Sequence, residues 1–218
     1  MDIVLDEKES RILGCLIEKE ITTPEYYPLS LNSLMNACNQ KSNRDPVVSY
    51  DEADVEQGLD SLQKKGFARM THTAGSRVPK YLHTILDRFD FSRQEIAILC
   101  ELMLRGSQTV GELRTRAERM YSFQNLEEVE KTLRGLMEQD PAMTAKLPRE
   151  TGRKECRYVH LFLENPGAER TPHGLSDEHR ESQLPASERI LRLEEETARL
   201  RDELEELKQA FTHFKSQF

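Results

Sequence analysis

Apolar positions along the first 163 residues fall into helical stripes, and the set of stripes occurs twice. Glu9-Ser-Arg-Ile12-Leu13-Gly-Cys-Leu16 and Glu95-Ile-Ala-Ile98-Leu99-Cys-Glu-Leu102 share E-x-x-I-L-x-x-L at an offset of 86. Val55-Glu56-Gln-Gly-Leu59-Asp-Ser-Leu62 and Val129-Glu130-Lys-Thr-Leu133-Arg-Gly-Leu136 share V-E-x-x-L-x-x-L at an offset of 74. Tyr81-Leu82-His83 matches Tyr158-Val159-His160 at an offset of 77. Three matches in the same order, with small changes in offset, are the mark of an internal repeat. In each copy a first helix carries Ile12, Leu13, Leu16, Ile17 or Ile98, Leu99, Leu102, Met103 on one face. A second helix carries Leu31, Leu34, Met35, Cys38 or Val110, Leu113, Ala117, Met120, and a third carries Val55, Leu59, Leu62 or Val129, Leu133, Leu136. Asp6, Ser30 and Ser92 are candidate helix starts, Ser92 with Glu95 forming a capping box, and Gly66 is a candidate helix stop.

A β-hairpin is expected after each set of helices. Residues 67–72 and 78–85 flank a turn at Ala74-Gly75-Ser76, and residues 143–147 and 157–162 flank Thr151-Gly152. Three helices followed by a two-stranded hairpin is the winged-helix variant of the helix-turn-helix. The expected fold is therefore mainly α with small β-hairpins: two tandem winged-helix domains, 1–87 and 88–163, each burying its own stripes. From 164 to 186 the chain is polar, with three prolines and two glycines, and reads as a flexible linker. From 187 to 218, Ile190, Leu193, Thr197, Leu200, Leu204, Leu207, Phe211 and Phe214 alternate at spacings of three and four, a heptad seam. In a parallel pair Arg189 meets Glu194, Glu196 meets Arg201, and Glu203 meets Lys208, all opposite in sign. A homodimer through this coiled-coil-like helix is expected, with Ile190, Leu193, Leu200, Leu204, Leu207 and Phe211 as dimerisation residues. The alternative is an amphipathic helix folded back on its own domains.

Composition narrows the function classes. The 218 residues hold 31 Lys and Arg against 39 Asp and Glu, a net charge of −8. A protein gripping nucleic acid with its whole surface would be basic, so any such contact must be local. No apolar run approaches the ~20 residues of a membrane span, so no membrane partner is expected. The start MDIVLDEKES lacks a basic n-region, so no secretory leader is expected. Cys15, Cys38, Cys100 and Cys156 form no CxxC and no metal spacing, which fits a reducing cytoplasm.

The stretch from Tyr27 to Pro46, YPLSLNSLMNACNQKSNRDP, resembles the signature of the YceH family of uncharacterised bacterial proteins, and Arg105–Met120 is similar to it as well. The likeness covers about residues 3–163 and, more loosely, the C-terminal helix. It implies tandem winged helices in the cytoplasm and brings no activity, ligand or binding residue.

The third helices would normally enter the major groove. Here residues 51–65 hold five acids against two lysines, and residues 125–140 hold five acids against Lys131 and Arg134. Groove insertion is disfavoured for both. The hairpins differ: Arg69, Arg77 and Lys80 stand without an acid, and Lys146, Arg149, Arg153, Lys154 and Arg157 outnumber Glu150 and Glu155. Basic hairpins can hold phosphates, and they also protect an edge strand from aggregation. The 39–50 loop is long for its place and adds Lys41 and Arg44, or else folds on its own Asn and Asp side chains. Arg116 and Arg119 share a helix face that reads as solvated and salt-bridged. His83 and His160 occupy equivalent strand positions, which suggests packing. No catalytic, cofactor-binding or metal-ligating set is legible, so a non-enzymatic protein without cofactors is expected. The leading expectation is a DNA-associated, regulator-like protein touching the DNA backbone through its wings and the Lys41–Arg44 loop. The alternative is a protein-interaction module using the winged helices as docking surfaces, like the ScpB chromosome-segregation proteins in architecture.

Overall fold

A computed structural model describes residues 4–72, 78–149 and 155–163. The chain divides between Thr171 and Pro172, and every described residue lies in the first unit. The cations Arg77, Arg153 and Lys154, the 164–186 segment, and the seam residues Ile190, Leu193, Leu200, Leu204, Leu207 and Phe211 lie outside the described residues.

The described chain is mainly helical, with small antiparallel sheets. In the first half α1 (Glu7–Thr22) leads to β1 (Leu29–Ser30), α2 (Leu31–Cys38), α3 (Glu52–Lys64), β2 (Ala68–Thr71) and β3 (Lys80–His83). The sheet order is β1-β3-β2, with Leu29 opposite Tyr81 and Met70 also opposite Tyr81. The second half repeats this order as α4 (Arg93–Arg105), α5 (Val110–Arg116), α6 (Leu126–Glu138), β4 (Thr144–Lys146) and β5 (Tyr158–His160). Gln108 takes the place of β1, exchanging both backbone hydrogen bonds with Tyr158 at 3.1 and 2.8 Å. The hairpin strands are shorter than the apolar pattern suggested, and α5 tightens into a 3₁₀ turn at Ala117–Arg119 where a longer helix was expected.

Local chemistry explains the helix boundaries. Asp6 with Glu9, Asp51 with Asp54, Ser92 with Glu95 and Thr109 with Glu112 form capping boxes, satisfying backbone N–H groups that the first turn leaves unpaired. Ser30 and Asn125 cap α2 and α6. Gly66, at φ 74°, ends α3: its N–H donates to Gln63 and the Phe67 N–H to Leu62, the double bond of a Schellman stop.

The two first helices bury against each other. Residues Glu9 to Glu18 of α1 and Ile96 to Leu104 of α4 are buried without interruption. Such a helix is enclosed on all sides, with its own half on one face and its counterpart on the other. Gly14 allows the close approach: a Cβ there would lie 3.0 Å from Leu104 Cδ2 and 3.2 Å from Met103 Cβ. Cys100, the repeat equivalent of Gly14, donates its thiol to the Gly14 carbonyl at 3.3 Å. One apolar core therefore runs from Leu5 through Leu62 and Leu99 to Phe162. The chain start joins it, the Leu5 N–H donating to the Phe162 carbonyl at 2.6 Å.

Candidate interaction surfaces

The third helices are packed by Val55, Leu59 and Leu62 in α3 and by Val129, Leu133 and Leu136 in α6. Their opposite faces are exposed. Some of the acids serve the helices themselves: Asp51 and Asp54 cap α3, Lys8 holds Asp54 at 2.8 Å, and Glu128 accepts from the Gln124 N–H and the Tyr121 hydroxyl. Glu52, Glu56 and Asp60 remain as an exposed stripe at every fourth residue of α3. Glu127, Glu130 and Glu138 are exposed on α6 together with Lys131 and Arg134, beside the exposed apolar side chains Leu126 and Met137. Aligned against a duplex, either face would set carboxylates against phosphates.

The 39–50 loop is folded on itself. The Asn39 side chain donates to the Tyr50 carbonyl and accepts from the Tyr50 N–H, both at 2.8 Å, closing the loop at its base. Arg11 reaches in from α1 to the carbonyls of Cys38 and Pro46. Arg44 corrects an expectation: its guanidinium does not face solvent but is wholly buried, paired with Glu18 at 2.5 Å and donating to the Ala37 carbonyl. The reason is physical. Glu18 is itself fully buried on α1, and an unpaired carboxylate there would cost several kcal/mol, about 3–5 when one partner of such a pair is removed. Lys41 is exposed.

On the hairpins Arg69, Lys146 and Arg149 are exposed and Lys80 is half-buried. Lys146 sits over the Tyr158 ring, 5.9 Å from its centroid. Arg157 is committed internally, donating to the Ser107 carbonyl at 2.6 Å and pairing with Glu112 at 3.1 Å. His83 is buried with Nε2 2.7 Å from Glu20, and the bond to His83 holds the Glu20 carboxyl below its usual range. His160 Nε2 lies 3.4 Å from Ser10 Oγ, so both histidines touch α1. Among the described residues no group of three His, Cys, Asp or Glu side chains could hold a metal ion. No described helix is long and apolar enough to cross a membrane.

One polar cluster was missed from the sequence. Glu18 of α1 and Glu101 of α4 are both fully buried where the halves meet. Arg119 binds the two carboxylates at once, and Arg44, Lys19 and Arg105 complete the ion pairs. Burial alone would raise the Glu18 carboxyl, but Arg44, Arg119 and Lys19 hold it below the usual range. Burial prevails at Glu101, which stays above that range despite Arg119 and Arg105. The signal was present: each glutamate interrupts an otherwise apolar helix face, and Arg119 shares its face with Arg116. Nothing in a linear pattern says that the two glutamates meet.

The topology defines a repeated helix–helix–helix–hairpin protein with an acidic stripe on α3, three acids and two cations exposed on α6, and exposed cations on the hairpins. Residues 5–153 match the family model described as a protein of unknown function, DUF480. A UPF0502 protein of Geotalea uraniireducens is 52% identical over 221 residues, covering all of both chains. Another, from Geobacter sulfurreducens, is 51% identical over 219 residues and likewise spans both chains. A third, from Koribacter versatilis, is 59% identical over 163 residues, 75% of this chain and 76% of its own. The chain belongs to this DUF480/UPF0502 family of uncharacterised bacterial proteins.

Proposed function

We propose that the chain is an adaptor built on the tandem winged helices that the YceH resemblance implies, that it works in the cytoplasm without catalysis, and that it docks a protein partner on the open faces of α3 and α6. The observation that carries this reading is the charge of those faces. The helices that would read a duplex present Glu52, Glu56 and Asp60 in one half and Glu127, Glu130 and Glu138, outnumbering Lys131 and Arg134, in the other. A basic protein surface complements them where a phosphate backbone does not. The loop cation Arg44 and the hairpin cation Arg157 are spent inside the fold, which leaves the DNA reading with fewer contacts. A chain dimerised through Ile190, Leu193, Leu200, Leu204, Leu207 and Phe211 would present four such faces and gain avidity.

A second reading rests on a different observation: Arg69, Lys146 and Arg149 are exposed on the hairpins. With Lys41, Lys80, Arg77, Arg153 and Lys154 they would hold a DNA backbone. Charge reversal separates the two. Glu56→Lys with Asp60→Lys abolishes partner binding in the adaptor reading and leaves any duplex binding intact or stronger. Lys146→Ala with Arg149→Ala has no effect on the partner, and in the DNA reading it flattens the salt dependence of duplex binding by about one unit of slope per lost phosphate contact.

A further inference from the structure

Charge is unevenly distributed in this chain. The whole protein carries −8, yet where the halves meet the ion pairs run the other way. Lys19, Arg44, Arg105 and Arg119 surround two carboxylates, Glu18 and Glu101. Next to them Arg116 and Arg157 share a single carboxylate, Glu112, at 3.3 and 3.1 Å. Gln108 joins the two groups, accepting from Arg116 Nη1 at 3.0 Å and donating to the Glu101 carbonyl at 2.9 Å. Two cations stand for every carboxylate in each group.

Five of these cations reach solvent, Lys19 and Arg157 among them at 18% and 20% exposed. The side chains of Arg105, Arg116 and Arg119 are 17%, 32% and 29% exposed. All three come from one short stretch: the end of α4, the end of α5 and the turn after it. Each is held from behind. Arg119 is fastened by Glu18 and Glu101, Arg116 by Gln108 and Glu112, and Arg105 by Glu101 and the Asn43 side chain. Arg105 Nε is buried 3.3 Å from Glu101 Oε2, an ion pair without hydrogen-bond geometry, so its outer nitrogens are the ones that face a ligand. Burial first, then the neighbouring Arg116, Arg119 and Arg44, weaken the hold of Arg105 on its proton, with Glu101 opposing. Fixed guanidiniums with spare N–H groups and excess positive charge form a receptor for a tetrahedral oxyanion, which accepts from several forks at once.

We propose that Arg105, Arg116 and Arg119 form a binding site for a small phosphate-class dianion, inorganic phosphate or a phosphorylated small molecule. The site is separate from the faces of α3 and α6 and does not depend on the adaptor reading. Its ligand would fix three arginines of the second half, and Arg119 and Arg105 carry that constraint to Glu18 of α1 and to Asn43 of the 39–50 loop. Occupancy would therefore tighten the contact between the halves.

The test uses the full chain with inorganic phosphate and pyrophosphate, by titration calorimetry and by thermal melting against sodium chloride at matched ionic strength. Saturable binding and a raised melting temperature are expected. Arg116→Gln should weaken binding roughly tenfold, the worth of a charged hydrogen bond. Glu112→Gln keeps the cap on Thr109 while removing a competing charge, and should tighten binding about threefold. Arg93→Gln, at the far end of α4 and exposed, changes net charge equally and should leave the affinity unchanged. Absence of binding by the wild type, or equal affinity in wild type and Arg116→Gln, overturns the proposal. Failure of phosphate to bind while a duplex binds in an Arg116-dependent way overturns it too, since the cluster is then a nucleic-acid contact.

Discussion

Arg44 and Glu18 show how a single position can reverse its apparent meaning. In the sequence Arg44 is a loop cation beside Asn43 and Asp45; in the fold it is the buried counter-ion of a glutamate 26 positions earlier. Removing it as Arg44→Ala leaves that buried charge with Arg119 and Lys19 as its remaining partners, and the melting midpoint should report a loss of about 3 kcal/mol, the low end for a broken buried pair. The pH dependence follows from the direction of each shift. Glu18 is held below its usual value, so its stabilisation is present above the unfolded value of ~4.3 and is lost as pH falls through the folded value. Glu101 is held above it, so its contribution is lost as pH rises past ~4.3. Glu18→Gln should therefore cost more at pH 7 than Glu101→Gln, and the Glu18→Gln deficit should vanish in denaturation curves taken in acid. Equal deficits at pH 7 would show that the two carboxylates share one environment.

At the scale of elements, the periodicity of Ile12, Leu13, Leu16 and Ile17 was enough to place α1, and the polar residues before it were enough to place its cap. Capping and helical stripes are local, so they are written in consecutive residues. Burial of α1 on its other side was not legible, because that depends on α4, 86 positions away. Gly14 carries that information only in the fold. Gly14→Ala forces a Cβ against Leu104 and Met103 and should cost about 1–3 kcal/mol in chemical denaturation. Gly66→Ala, at a left-handed position that ends α3, should cost about 1 kcal/mol by the same measurement. The 39–50 loop was ambiguous for the same reason as α1: its Asn39–Tyr50 closure is local, whereas the Arg11 and Glu18 groups that anchor it belong to another helix.

On the scale of the whole molecule, the chain pairs acidic helix faces with basic hairpins, and the adaptor reading gives those signs separate tasks. The heptad from Ile190 to Phe214 predicts doubling of the molecule. Sedimentation of a chain ending at Ala186 should give a monomer where the full chain gives a dimer; a dimeric truncated chain would place the interface elsewhere. The most direct measurement for the adaptor reading is titration of the full chain into a labelled mixed-sequence duplex at ~50 mM salt, where phosphate contacts are strongest. The acidic faces of α3 and α6 predict no saturable binding. Saturable binding that weakens steeply with added salt, and whose slope flattens in Lys146→Ala with Arg149→Ala, would contradict the adaptor reading and assign the hairpins to DNA.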